Sequence, residues 1–124
     1  MTAAAMAYLG DAVFELWVRE KLLANGLPVH KAHRSAKSYV SAVAQADMYH
    51  RIYPSLPVHE QQILRRGRNL NPLTRAKNAD ATDYRHATGL EALFGYLYER
   101  RDFVRLEEVF NMCLLGSTNN MPYP

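Results

Sequence analysis

"AYLGDAVFEL", residues 7–16, places a glycine and an aspartate inside an otherwise apolar helix. Gly10 weakens a helix interior by roughly 1 kcal/mol relative to alanine. Asp11, beside it, brings a charge to a surface lined by Ala7, Phe14 and Val18. The second half of the chain repeats both costs. In "ATGLEALFGYLY", residues 87–98, Glu91 sits mid-helix among Ala87, Leu90, Phe94 and Gly95. A lone ionised carboxylate in such surroundings costs several kcal/mol unless it is paired, metal-bound or protonated. A glycine within a helix lets a second helix approach closely, so helices bearing Gly10 and Gly95 can cross and bring Asp11 to Glu91. Like charges raise one another's pKa, so something positive must join the pair. Ligands that are all oxygen favour a hard divalent cation such as Mg²⁺, which keeps several waters when few carboxylates hold it. The alternative is that each acid is exposed, or paired with an arginine such as Arg85.

Apolar spacing is helical on both sides of these motifs. In the first segment Met6, Leu9, Val13 and Leu16 form one stripe, Ala7, Phe14 and Val18 another, and "NGLP" (25–28) ends it. Ala36, Val40, Ala44, Met48 and Ile52 recur at four-residue intervals, which predicts one helix stopped by "YPSLP" (53–57). A short helix around Glu60 to Arg66 precedes a loop, "GRNLNPLTRAKNAD" (67–80). Residues 82–100 form the most apolar helix, and a last amphipathic one carries Leu106, Val109, Phe110, Cys113 and Leu114. The sequence shows no sustained strand alternation and no internal repeat. The expected fold is all-α and a single domain over residues 1–116, with 117–124 as a flexible tail.

A length of 124 residues suits one compact domain, and a hydrophobic content of 48% suffices for a core. A single cysteine, Cys113, excludes an internal disulfide framework and a cysteine-based zinc site, and fits a reducing cytoplasm. Asp11 and Glu15 interrupt the first apolar run, which reads as neither a signal peptide nor a membrane span. The net charge of +3 is unevenly spread. No acid lies between Glu20 and Asp47, where Lys21, Lys31, Arg34 and Lys37 stand. None lies between Glu60 and Asp80, where Arg65, Arg66, Arg68, Arg75 and Lys77 cluster. Such stretches suit a polyanionic partner, or else are two solvated faces.

"YLGDAVFEL" resembles the signature helix of the ribonuclease III family, which reads as a glutamate, a short apolar step, then Leu-Gly-Asp-Ala. "LEALFGYLY" resembles that family's second acidic motif, in which an aspartate and a glutamate three residues apart precede Ala-Leu-x-Gly. "HRSAKSYVSAVAQADM" (33–48), "LRRGRN" (64–69) and "YRHATGLEALFGYLY" (84–98) are similar in order and character to the Mini-III branch, which consists of the catalytic domain alone. The resemblance runs from about Ala7 to Gly116. It implies a symmetric homodimer that cuts double-stranded RNA, with Mg²⁺ (Mn²⁺ substituting) held by Asp11 and Glu91 as the catalytic pair. The wider family's site has four acids. Here Ala7 stands in place of the signature glutamate and Thr88 in place of the second motif's aspartate, which leaves the number of metal ions open. A catalytically silent RNA-binding module with the same fold is the alternative.

A-form RNA is read mostly through shape, phosphates and 2′-hydroxyls. Arg66, Arg68, Asn69 and Lys77 are the candidate contacts, since a loop bearing glycine and asparagine can present donors to a minor groove. Arg85, one to two turns before Glu91, is a candidate for the scissile phosphate, or else the partner of Asp80 or Asp83. His33, Arg34 and Lys37 read as a solvated helix face, Glu15 as a surface glutamate, and His86 as no metal ligand. These residues leave no room for a separate duplex-binding domain, so substrate enters through the catalytic domain or with an accessory ribosomal protein. The resemblance implies precursor large-subunit (23S) ribosomal RNA of a bacterium as the substrate class. Tyr39, Val40 and Val43, with Phe14 and Trp17, are the apolar residues expected to meet a second copy.

Overall fold

The Thr2 hydroxyl accepts a hydrogen bond from the Ala5 amide at 3.0 Å and so opens the first helix, α1 (Ala3–Ala24). Gly26 follows its end with φ of 91°, a left-handed conformation suited to glycine. The computed structural model describes residues 1–70 and 79–115, without the side chains of residues 79 and 80. Lys77 and the expected tail lie outside the described residues. Beyond α1 come α2 (Val29–Val40), α3 (Ala42–Ile52), a 3₁₀ turn (Tyr53–Ser55), α4 (Val58–Arg68), α5 (Ala79–Glu99) and α6 (Phe103–Leu114). Among the described residues there is no strand, as the sequence predicts.

Two expectations about helix limits are corrected. The four-residue apolar spacing predicts one helix across Ala36 to Ile52, but the chain breaks at Ser41. Ser41 is extended (φ −66°, ψ 155°), and its hydroxyl accepts from the Ala44 amide at 3.2 Å, capping α3. A serine that satisfies the next helix's first amides competes with helix continuation. The break lets α2 lie against α1 while α3 turns onto α5. In addition, Gly67 and Arg68 belong to α4 rather than to the following loop. A glycine stands there because α5 lies too close for any side chain.

The central element is α5, which packs against α1, α3, α4 and α6. A Cβ on Gly10 would overlap the Glu91 carbonyl oxygen, and one on Gly95 would overlap the Met6 carbonyl oxygen. So α1 and α5 cross backbone to backbone at the two glycines of the acidic motifs. A second crossing joins α4 to α5, where a Cβ on Gly67 would come within 2.8 Å of the Gly89 Cα and one on Gly89 within 2.6 Å of the Leu64 carbonyl oxygen. Edge-to-face contacts of Phe14, Phe94 and Phe110, with ring centroids 5.0, 5.8 and 6.3 Å apart, fill the space between α1, α5 and α6.

Polar ties lock the periphery. Glu60 of α4, 2% exposed, receives two hydrogen bonds from the Arg105 guanidinium of α6, at 2.8 and 2.9 Å. Asp102 caps α6 by accepting from the Arg105 amide at 3.1 Å. Arg51 donates to the Cys113 and Leu115 carbonyls at 2.7 and 2.6 Å, joining the end of α3 to that of α6. Among the described residues no helix is long and apolar enough to cross a membrane.

Candidate active site

The α1–α5 crossing sets two carboxylates side by side. Asp11 follows Gly10 on the exposed face of α1, and Glu91 lies partly buried on α5, where its own backbone carbonyl abuts Gly10. Burial is the main force pushing the Glu91 carboxyl up to about 8, followed by the charge of Asp11 and a hydrogen bond between the two acids. Opposing these, the side-chain amide of Gln45 on α3 hydrogen-bonds Glu91 and favours its ionised form. Neither acid has an ion-pair partner among the described residues. Pairing of either with Arg85 is therefore not what the fold provides.

The donor set is hard and oxygen-only, which fits a divalent cation of the Mg²⁺ kind. Among the described residues no group of three or more His, Cys, Asp or Glu converges. An ion at Asp11 and Glu91 would thus be held by two carboxylates, with water or substrate oxygens completing its shell. Ala7 is buried one turn before Asp11 and offers no ligand. Thr88 donates its hydroxyl to the Tyr84 carbonyl of its own helix at 3.0 Å. The reduced acidic set read from the sequence is a reduced set in space. Glu15 pairs with Arg19 at 3.0 Å, as a surface glutamate does.

The candidate RNA contacts divide by position. Arg66 is exposed on α4, and Asn69 caps that helix while accepting from the Arg68 Nε at 3.1 Å. Arg85 is partly exposed, but its Nε is buried with no hydrogen-bond partner among the described residues, and no described carboxylate pairs with it. A guanidinium with an unmet donor is suited to an incoming oxygen anion.

Sequence reasoning missed two features. The first is Gln45, which is 2% exposed between α3 and α5. Its signal is a glutamine flanked by alanines on a helix face that continues to buried Tyr49. The second is an aromatic and basic cluster drawn from three helices and the 3₁₀ turn. The Tyr49 ring stands 4.7 Å from His86 and 5.8 Å from Tyr53, and His50 lies 4.4 Å from His86. Arg65 donates to the Tyr53 hydroxyl. Burial holds His86 below its ordinary pKa, with the charges of His50, Arg68 and Arg85 adding and its bond to the Thr82 carbonyl opposing. No sequence spacing announces a cluster assembled across α3, α4 and α5.

Comparison with known proteins supplies the family. A family model of the ribonuclease III domain matches residues 4–102. The Mini-ribonuclease 3 of Symbiobacterium thermophilum is 48% identical over 105 residues, covering 84% of this chain and 81% of that protein. The Mini-ribonuclease 3 of Enterococcus faecalis is 43% identical over 120 residues, covering 93% and 91%. A crystal structure of a Fusobacterium nucleatum protein superposes with a TM-score of 0.80 at 28% identity, covering 93% of this chain and 94% of that one. With the acidic motifs crossing at their glycines and matches spanning most of its length, the chain belongs to the ribonuclease III family.

Proposed function

We propose that this endoribonuclease cleaves double-stranded RNA with Mg²⁺ held between Asp11 and Glu91, and that Mn²⁺ can replace it. The observation that carries the reading is the meeting of two carboxylates at a backbone-tight crossing, with no cation beside them among the described residues. Such an arrangement costs stability and gains nothing without an ion. When bound, the ion supplies Lewis acidity for in-line attack of water on a phosphodiester. Asp11, exposed on α1, and Glu91, in its ionised form, would be the residues that hold the ion. Arg66, Arg68, Asn69 and Lys77 position the duplex through its backbone, and Arg85 offers its unmet donor to a phosphate oxygen.

The likeness to the Mini-ribonucleases 3 supports precursor 23S ribosomal RNA of a bacterium as the substrate, matured in the cytoplasm, with an accessory ribosomal protein presenting it. A symmetric homodimer supplies the two sites needed to cut both strands. The surface available for it differs from the one the sequence suggests. Phe14 and Tyr39 are interior, at 0% and 1% exposure, and the Trp17 indole donates to Glu107 at 2.9 Å. Val43 is exposed as expected, and on α1 so are Leu16, Leu23 and, at 87%, Tyr8. Sedimentation at micromolar concentration is expected to report twice the 14.2 kDa chain mass.

Incubation of the protein with a long RNA duplex, with and without Mg²⁺, tests the function. The reading predicts defined fragments only with metal. Retarded but intact RNA would select a silent binding module instead.

A further inference from the structure

Only two polar or charged side chains are fully buried among the described residues, Gln45 and Glu60. Glu60 is accounted for by the paired hydrogen bonds from Arg105. Gln45 has no such structural partner. It sits on α3 where that helix packs against α5, and its side chain hydrogen-bonds the Glu91 carboxyl. A buried primary amide carries two donors and one acceptor, and each is costly to leave unmet. A methionine or leucine would fill the same space without that cost. The amide must therefore serve the acid it touches.

We propose that Gln45 is a positioning residue of the hydrolytic centre, fixing the Glu91 carboxylate so that its free oxygen faces an ion shared with Asp11. The proposal rests on the reading of Asp11 and Glu91 as the metal-holding pair. A carboxylate on a flexible three-bond stem has several rotamers, and a donor anchored on a neighbouring helix selects one of them. In a site with two protein ligands among the described residues, the loss of orientation in one falls on a large share of the binding. Groups that hydrogen-bond metal ligands typically contribute ten- to a hundred-fold to metal affinity.

The test is a titration of the full-length chain with Mn²⁺, read by electron paramagnetic resonance without RNA, for the wild type, Gln45→Met and Asp11→Asn. Gln45→Met is expected to weaken Mn²⁺ binding by about ten- to a hundred-fold. Its cleavage is expected to recover at high Mg²⁺ with the KM for RNA unchanged, which a general loss of packing would not produce. Wild-type affinity in Gln45→Met, with binding lost in Asp11→Asn, would overturn the role of Gln45 and leave the acidic pair standing. Absence of Mn²⁺ binding in the wild type would overturn the pair, and Gln45 with it. Should Gln45→Met not fold, the side-chain amide resonances of Gln45 in the wild-type protein decide the matter. Mn²⁺ must broaden them, and must fail to do so in Asp11→Asn; unbroadened wild-type resonances would refute the assignment.

Discussion

Glu60 and Glu91 are both carboxylates drawn out of water within the same helical core, yet among the described residues only Glu60 is given a cation. Glu60 receives a two-pronged guanidinium from Arg105, itself raised above its ordinary pKa by that bond. Glu91 faces a second acid and an uncharged amide. The first arrangement is complete, and it ties α4 to α6. The second has no cation among the described residues, and a bound ion would complete it. Burial of an acid is thus uninformative until its partner is identified.

The largest expected effect lies on the incomplete side. Asp11→Asn and Glu91→Gln each remove a proposed ligand while keeping the side chain's shape. Cleavage is expected to fall on the order of 10³-fold or more, since the ion supplies several kcal/mol of transition-state stabilisation. Without metal and above about pH 8, where Glu91 has lost its proton, both variants should melt no lower than the wild type, because a repulsion is relieved. Near-normal turnover by either at limiting Mg²⁺ would erase the distinction between the two acids.

The complete side should respond in the opposite sense. Arg105→Ala leaves Glu60 buried and unpaired, and is expected to cost about 3 kcal/mol. Thermal denaturation should show a drop of about 10 °C for a domain of this size. A neutral result would mean that Glu60 finds another partner and that the pair is not a tie.

A smaller, pH-dependent difference sharpens the contrast. Glu91 titrates at about 8 in the folded chain against 4.5 for its ordinary value, so between these limits the folded state keeps a proton that the unfolded state has lost. Stability of the metal-free protein should therefore decrease as pH rises through that window. Urea midpoints of the wild type and Glu91→Gln, compared at about pH 5 and about pH 9, should diverge in the wild type's disfavour at the higher value. Parallel midpoints would place Glu91 in water.

The smallest effects belong to neither acid. Replacing Arg66, Arg68 and Lys77 by alanine should weaken duplex binding broadly, and each phosphate left without its cation should reduce the salt slope by roughly one unit or somewhat less. Binding isotherms at several salt concentrations measure this. An unchanged slope would return these residues to the solvent.

Much of the acidic pair is legible in the sequence because its cost is local. A glycine beside an acid in an apolar helix is anomalous at the level of single residues, and it occurs twice. The pairing of Gly10 with Gly95 follows from that anomaly. The second crossing, Gly67 with Gly89, is not legible, since Gly67 precedes Arg68 and Asn69 and has the surroundings of a loop. The break at Ser41 is hidden by an apolar spacing that continues unbroken across it. Gln45 is hidden because its meaning lies in a residue 46 positions away, on another helix. Phe14 and Tyr39 read as surface residues because the sequence does not say which side of a helix its neighbours cover.

The crossing of α1 and α5 also bears on how this chain can change over generations. Every other amino acid carries a Cβ, so no replacement at Gly10 or Gly95 avoids the overlap with the facing helix. The atoms met are backbone carbonyl oxygens, which every residue possesses. No compensating change in the opposite helix can therefore make room, as a smaller side chain would at an ordinary packing contact. The two positions are closed to drift individually and jointly, whereas the apolar side chains packed around them can exchange for others of similar volume. Variation among descendants of this sequence should accordingly accumulate in the apolar packing around the crossing and leave its two points of contact fixed.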